Sequence, residues 1–194
     1  MNPSLVGSEM CIRDSFKLWD ATRKRLEDSF GHRIRLEIEP GRYLTAESGI
    51  LVTEVRAVKR QGSKKYLLVD AGFHTLARPV LYGSYHPMSL CPTSTTPPHE
   101  LEAVAIGGPL CESGDIFTQE EGGFVSTRDL PPARVGDLLV IEVAGAYGFV
   151  MASNYNSKPF PAEVLIDGGT SRLVRARQTA EAVSYTHLRA HETR

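Results

Sequence analysis

From Phe16 onward the apolar residues at positions 16, 19, 26 and 30 fall on one helical face, and Gly31 stands where a helix closes in a left-handed cap. Residues 33–39 then alternate. Ile34, Leu36 and Ile38 share one side and Arg35, Glu37 and Glu39 the other, the period of two that a strand requires. Helix, short turn and strand make half of a repeating α/β unit. Beyond Glu39 the texture changes to short β-rich runs at 50–59, 65–70, 101–106, 137–143, 162–167 and 171–177, separated by Gly, Pro, Asp and Ser. This predicts a sandwich or barrel of short strands, with a boundary at 46–49 between a helix–strand unit (16–48) and a β domain (49–183). The prolines of 91–99 (CPTSTTPPH) predict a loop.

Two terminal stretches, 1–15 and 184–194, sustain neither period and look like translated adapter sequence. They are expected to be foreign to the fold or disordered. The longest apolar runs fall well short of the roughly 18 residues that span a bilayer. No apolar run follows a basic start, so neither a membrane span nor a secretory leader is expected, and the expected location is cytoplasmic.

Charge narrows the function classes. With 22 basic and 23 acidic residues the 194-residue chain has a formal net charge of -1, no field for nucleic acid or an anionic membrane. Its three cysteines, Cys11, Cys91 and Cys111, lack any C-x-x-C spacing, and its six histidines are scattered singly. Reduced thiols and no metal site are expected.

Four motifs carry candidate chemistry. Glu39-Pro40-Gly41-Arg42 follows a predicted strand, where a glycine lets the backbone approach a ligand and a carboxylate and a guanidinium flank it; alone it is also an ordinary turn. In 108–115 (GPLCESGD) a thiol, Cys111, is followed directly by an acid, Glu112, between glycine turns; for the pair in isolation an inert, half-buried cysteine beside a solvated glutamate is the better reading. Gly145-Ala146-Tyr147-Gly148 leaves the Tyr147 ring between small neighbours, open to a ligand or packed in a tight turn. Arg78 precedes Tyr82 by four residues, one helical face suited to a carboxylate, or a surface arginine packed over a tyrosine.

Together EPGR, VDAG followed by RPVLYG, GPLCESGD, GAYG and SNYNSKPFPAEVLIDG resemble, over 16–183, the C-terminal part of the diaminopimelate decarboxylases, a family of fold-type III pyridoxal phosphate enzymes. The resemblance implies a mainly β fold: a C-terminal Greek-key β-barrel or sandwich, preceded by the last helix and strand of a truncated (β/α)8 barrel. It implies a homodimer with active sites shared between subunits, conversion of meso-2,6-diaminopimelate to L-lysine and CO2, and pyridoxal 5'-phosphate as cofactor. The polar face of Arg35, Glu37 and Glu39 would then line the barrel interior near that cofactor.

By the same resemblance Glu39 pairs with the pyridinium nitrogen, and Pro40, Gly41 and Arg42 lie against the cofactor phosphate, Arg42 also reaching a substrate carboxylate. Arg78 and Tyr82 hold the distal carboxylate, Glu112 the distal ammonium, and Tyr147 touches both cofactor and substrate. Cys111 acts from the opposite subunit as the acid that reprotonates Cα, a role suited to a thiol that holds its proton at neutral pH. Relatives acting on ornithine or arginine commonly carry Cys-Asp in place of Cys-Glu. A substrate with an amino acid at both ends needs both a cation and an anion at its distal end, and Arg78 and Glu112 supply that pair.

None of Lys17, Lys24, Lys59, Lys64, Lys65 or Lys158 stands in the context of the family's Schiff-base lysine, so the chain alone is expected to be inactive. Two other readings remain open on sequence: a stand-alone β module regulating a decarboxylase subunit, and a carboxynorspermidine- or ornithine-type relative.

Overall fold

The structure, a computed structural model, describes residues 3–37, 39–93 and 100–184. Contacts divide the chain after Pro40 into two compact units.

In the first, helix α1 (Pro3–Phe30) ends as its pattern predicts: Gly31 takes a φ of 68° and donates its N–H to the Glu27 carbonyl at 2.9 Å. The helix starts thirteen residues earlier than Phe16, so residues 3–15, left outside the fold by their pattern, are helical. After Pro3 they contain no proline and one glycine, nothing strong enough to stop propagation. Asp20, Arg23, Lys24 and Glu27 pair at spacings of three and four along the helix, while Phe16, Trp19, Leu26 and Phe30 stay exposed.

The strand expected at 33–39 does not form. Residues 33–37 and 39 are irregular, and Ile38 lies outside the described residues. Alternation alone makes no strand; a ladder needs a partner, and among the described residues none pairs with this segment. Arg35 and Glu37, expected to line an interior, are exposed and pair with each other at 3.3 Å.

The second unit is built on a six-stranded sheet: β1 (Leu51–Gln61), β2 (Lys64–Val69), β3 (Met88–Cys91), β4 (Glu102–Gly107), β5 (Arg128–Leu130) and β6 (Leu138–Ile141), in the spatial order β3-β6-β1-β2-β4-β5. β1 is shared along its length: residues 51–54 pair with β6, and from Val55 on it pairs with β2 across a turn at Gly62, with a bulge between Val55 and Ala57. β6 returns beside β1 in Greek-key fashion, whereas β2 and β4 run parallel. The outer strands β3 and β5 approach each other, so the sheet curls into a nearly closed barrel.

Its interior holds Val55, Leu67, Val69, Val104, Ile106, Phe117, Leu139 and Ile141. Residues 104–107 of β4, inside the parallel pair, are buried on both faces, which is why they read as a continuous apolar run. β7 (Glu163–Asp167) and β8 (Thr170–Arg175) form a separate hairpin across Gly168-Gly169, both at positive φ. The short helix α2 (Arg78–Tyr82) forms in the connection between β2 and β3.

Six strands thus lie where the pattern places them, with no end moved by more than two residues. β3 and β5 were not predicted: at four and three residues they are too short to display a period. β3 ends at Cys91, the first residue of the predicted loop, whose residues 94–99 lie outside the described ones.

Candidate functional site

Two backbone turns pressed together start the site. The segment after Gly41-Arg42 winds into a 3-10 turn (Ala46–Ser48), with the Arg42 carbonyl accepting the N–H of Thr45 and Ala46 at 3.2 and 2.9 Å. It is laced to the GAYG segment by Ala144 N–H to Gly49 O (2.8 Å) and Gly145 N–H to Ala46 O (3.0 Å). Only glycine fits on both sides, since a Cβ on Gly49 would stand 2.5 Å from Gly145 Cα and one on Gly145 would run into Thr45 O.

Tyr147 follows with φ 58°, the left-handed region that a large side chain seldom enters. The strain turns its phenol onto Gly41, whose missing Cβ is replaced by the Tyr147 hydroxyl. The ring remains 40 % exposed.

α2 brings the next part. Pro79 presets its first turn and Gly83, at φ 58°, caps it through an N–H to Pro79 O at 2.9 Å. The Arg78 guanidinium carbon lies 5.5 Å from the Tyr82 ring centre and 5.6 Å from that of Tyr147, stacked between two rings. Its Nη2 donates to Ser84 Oγ at 3.1 Å. Partial burial, and then the neighbouring charge of Arg42, lower the Arg78 pKa from its ordinary value. Among the described residues neither arginine has a carboxylate partner. Gly41, Arg42, Arg78, Tyr82 and Tyr147 therefore form one cationic, ring-lined group, suited to anions.

Cys111 and Glu112 stand apart on an exposed loop. Glu112 Oε1 accepts from Ser113 Oγ (3.2 Å) and Gly114 N–H (3.3 Å), and no hydrogen bond or ion pair joins either residue to the arginine group among the described residues. The loop rests on α2 lower down, where Gly114 leaves space beside Val80. Glu39 and Pro40 are exposed and belong to the first unit. No three His, Cys, Asp or Glu side chains gather as a metal site among the described residues. Nor is any described helix long and apolar enough to cross a membrane.

Sequence reasoning missed two residues near these groups. His86, 2 % exposed, must carry its proton on Nδ1, because that atom meets the Glu142 carbonyl at 2.9 Å. Its Nε2 is buried without a hydrogen-bond partner, and burial, helped by Arg78, Arg42 and Arg128, lowers its pKa. A single histidine in a connection carries no such signal. Asp115, by contrast, closes a motif that was read for its thiol and its glutamate.

The chain belongs to the pyridoxal-dependent decarboxylases, matching their C-terminal sheet domain over residues 14–145. Among particular relatives it is 52% identical over 168 residues to the diaminopimelate decarboxylase of Escherichia coli (strain K12), covering 86% of this chain and 40% of that protein. It is 52% identical over 165 residues to that of Streptomyces coelicolor, covering 84% and 38%. A crystal structure of a diaminopimelate decarboxylase superposes with a TM-score of 0.78 at 50% identity, over 90% of this chain and 42% of that one. The enzyme from Helicobacter pylori complexed with L-lysine matches with a TM-score of 0.66 at 34% identity, over 78% of this chain and 35% of that one. The chain spans about two fifths of the length of the curated relatives it matches.

Proposed function

We propose that this chain is the C-terminal part of a diaminopimelate decarboxylase, which converts meso-2,6-diaminopimelate to L-lysine and CO2. The observation that carries the reading is the Arg42–Arg78 pair, the Arg78 guanidinium lying between two tyrosine rings within reach of the Arg42 charge, with no carboxylate paired to either among the described residues. Such a pair is held against its own repulsion where anions are to be bound.

The residues fit pyridoxal phosphate. Gly41 leaves backbone where a side chain would stand, Arg42 is exposed next to it, and the Tyr147 phenol closes the same corner. These three would hold the phosphate end, and Glu39 would meet the ring nitrogen. When bound, the cofactor supplies the sink for the electron pair released as CO2 leaves.

The chain's own groups then divide the substrate. Arg78, with Tyr82 at its flank, takes the distal carboxylate as a two-pronged donor, and the Glu112 carboxylate takes the distal ammonium. Cys111 Sγ gives its proton to Cα once the carboxylate has gone, and regains one from solvent. Among the described residues no hydrogen bond or ion pair joins Cys111 or Glu112 to the arginine group of the same chain, which suits a loop offered to the site of a second copy in a homodimer.

The test is a graft. Residues 16–183, placed in the Escherichia coli relative instead of its matching segment, are expected to support release of L-lysine and CO2 from meso-diaminopimelate. A folded graft that retains pyridoxal phosphate yet releases neither would refute the reading. Release from carboxynorspermidine or ornithine in preference would shift the substrate assignment.

A further inference from the structure

The Cys111–Glu112 loop is exposed, yet its base is fastened by a buried acid. Asp115 is 3 % exposed. Its Oδ1 accepts the N–H of Phe73 and its Oδ2 the N–H of Leu110, both at 2.8 Å. Its backbone closes the loop as well, with Gly108 N–H donating to Asp115 O at 2.8 Å and Asp115 N–H to Glu112 O at 3.1 Å.

The carboxylate fills the space between two strips of bare backbone. A Cβ on Gly72 would stand 2.8 Å from both its oxygens, and one on Gly108 would overlap Oδ2. From Gly72 the connection runs straight to the arginine: the Gly72 carbonyl accepts the N–H of Thr75 (2.9 Å) and Leu76 (3.2 Å) and the Thr75 hydroxyl (2.7 Å), and α2 begins at Arg78. One side chain thus ties residue 110 to residue 73. The loop that presents the thiol and the segment that carries Arg78 meet at its two oxygens.

We propose that Asp115 is a positioning residue, which locks the Cys111–Glu112 loop in register with the segment that carries Arg78. Its catalytic consequence rests on the decarboxylase reading; the brace itself does not. In a homodimer whose subunits exchange this loop, Asp115 sets two sites at once, the partner's through Cys111 and Glu112 and its own through Arg78. Burial pushes the Asp115 carboxyl above its ordinary range while the Leu110 and Phe73 N–H groups pull it back, so its charge is held chiefly by the two bonds that form the brace.

Asp115→Asn preserves the shape but turns an NH2 toward one of the two donors, so one bond is lost. In the 194-residue chain, hydrogen exchange at Leu110 or Phe73 is expected to accelerate roughly ten- to hundred-fold, the loss of one bond to a charged group. In the graft, KM for meso-diaminopimelate is expected to rise toward that of Glu112→Gln, with kcat falling as Cys111 loses its aim. A variant that merely folds less well loses active enzyme but keeps its KM. Gly108→Ala, which displaces the carboxylate from the other side, gives the same two readouts if Asp115→Asn does not fold. Unchanged exchange at both amides together with unchanged KM overturns the proposal. An inactive parent graft whose loop still loosens in the variant overturns the decarboxylase reading and leaves the brace standing.

Discussion

The arginine group is half-buried at Arg78 and the thiol loop is exposed, and the two are held by opposite means. Arg78 is stacked between Tyr82 and Tyr147, bonded to Ser84, and backed by turns in which Gly49 and Gly145 touch backbone to backbone. Cys111 and Glu112 sit at the tip of a loop whose own bonds are local, and its base is tied to Phe73 through Asp115. Cations that repel each other need an enforced geometry, because nothing attractive holds them together before an anion arrives. On the proposed reading, a thiol and a carboxylate that act on the site of a second copy need reach, with a fixed hinge rather than a fixed tip. The first region stores its precision in packing and the second in one anchoring residue.

The sharpest way to separate them is to remove the thiol. Cys111→Ala in the active graft is expected to lower kcat by about 10²–10⁴, the usual weight of a general acid. Its melting temperature should stay at the parental value, since an exposed tip contributes little to packing. Turnover close to the parent's would end the proton-donor assignment.

Arg78→Ala comes next. It deletes the proposed charged bond to the distal carboxylate, worth about 1.5–3 kcal/mol and so roughly ten- to hundred-fold in KM. It also removes the stack that Tyr147 rests on. Arg78→Lys keeps the charge but loses the planar fork, and should fall between the two. Kinetics with diaminopimelate measure both; a lysine variant equal to the parent would mean that charge alone suffices.

These regions were not equally legible in the sequence. The α2 segment could be read because Arg78 and Tyr82 stand four residues apart, on one helical face, and the GAYG turn because small residues crowd a tyrosine. Strands β1, β2, β4 and β6 show their apolar runs between turn residues. What was hidden depends on partners far along the chain. Arg33 to Glu37 alternates cleanly and still forms no strand, since hydrogen-bond partners are not encoded in alternation. β3 and β5 exist only because neighbours complete their ladders. Asp115 lies in plain view in its motif, but its value comes from Phe73, 42 residues earlier. The two glycines that make room for it read as ordinary turn formers.

The smallest expected effect concerns pH. His86 and His74 are both buried, and burial lowers their pKa below the ordinary 6.5, with Lys158 adding to the effect at His74 and the arginines at His86. Unfolded, each takes up a proton as pH falls through about 6.5; folded, each resists until lower pH. The unfolded chain therefore binds more protons in that window, and stability declines on acidification from about 7.5 downward. Asp115 acts in the opposite sense: with its pKa raised in the fold, it weakens stability as pH climbs from 3.8, its ordinary value. Thermal melts between pH 7.5 and 5.5 should show the histidine slope, and His86→Gln should flatten it without moving the exchange of the Cys111 loop. A slope unaltered by that substitution would place the acid sensitivity elsewhere. Loosening of the loop in step with it would mean that the two regions are not held independently.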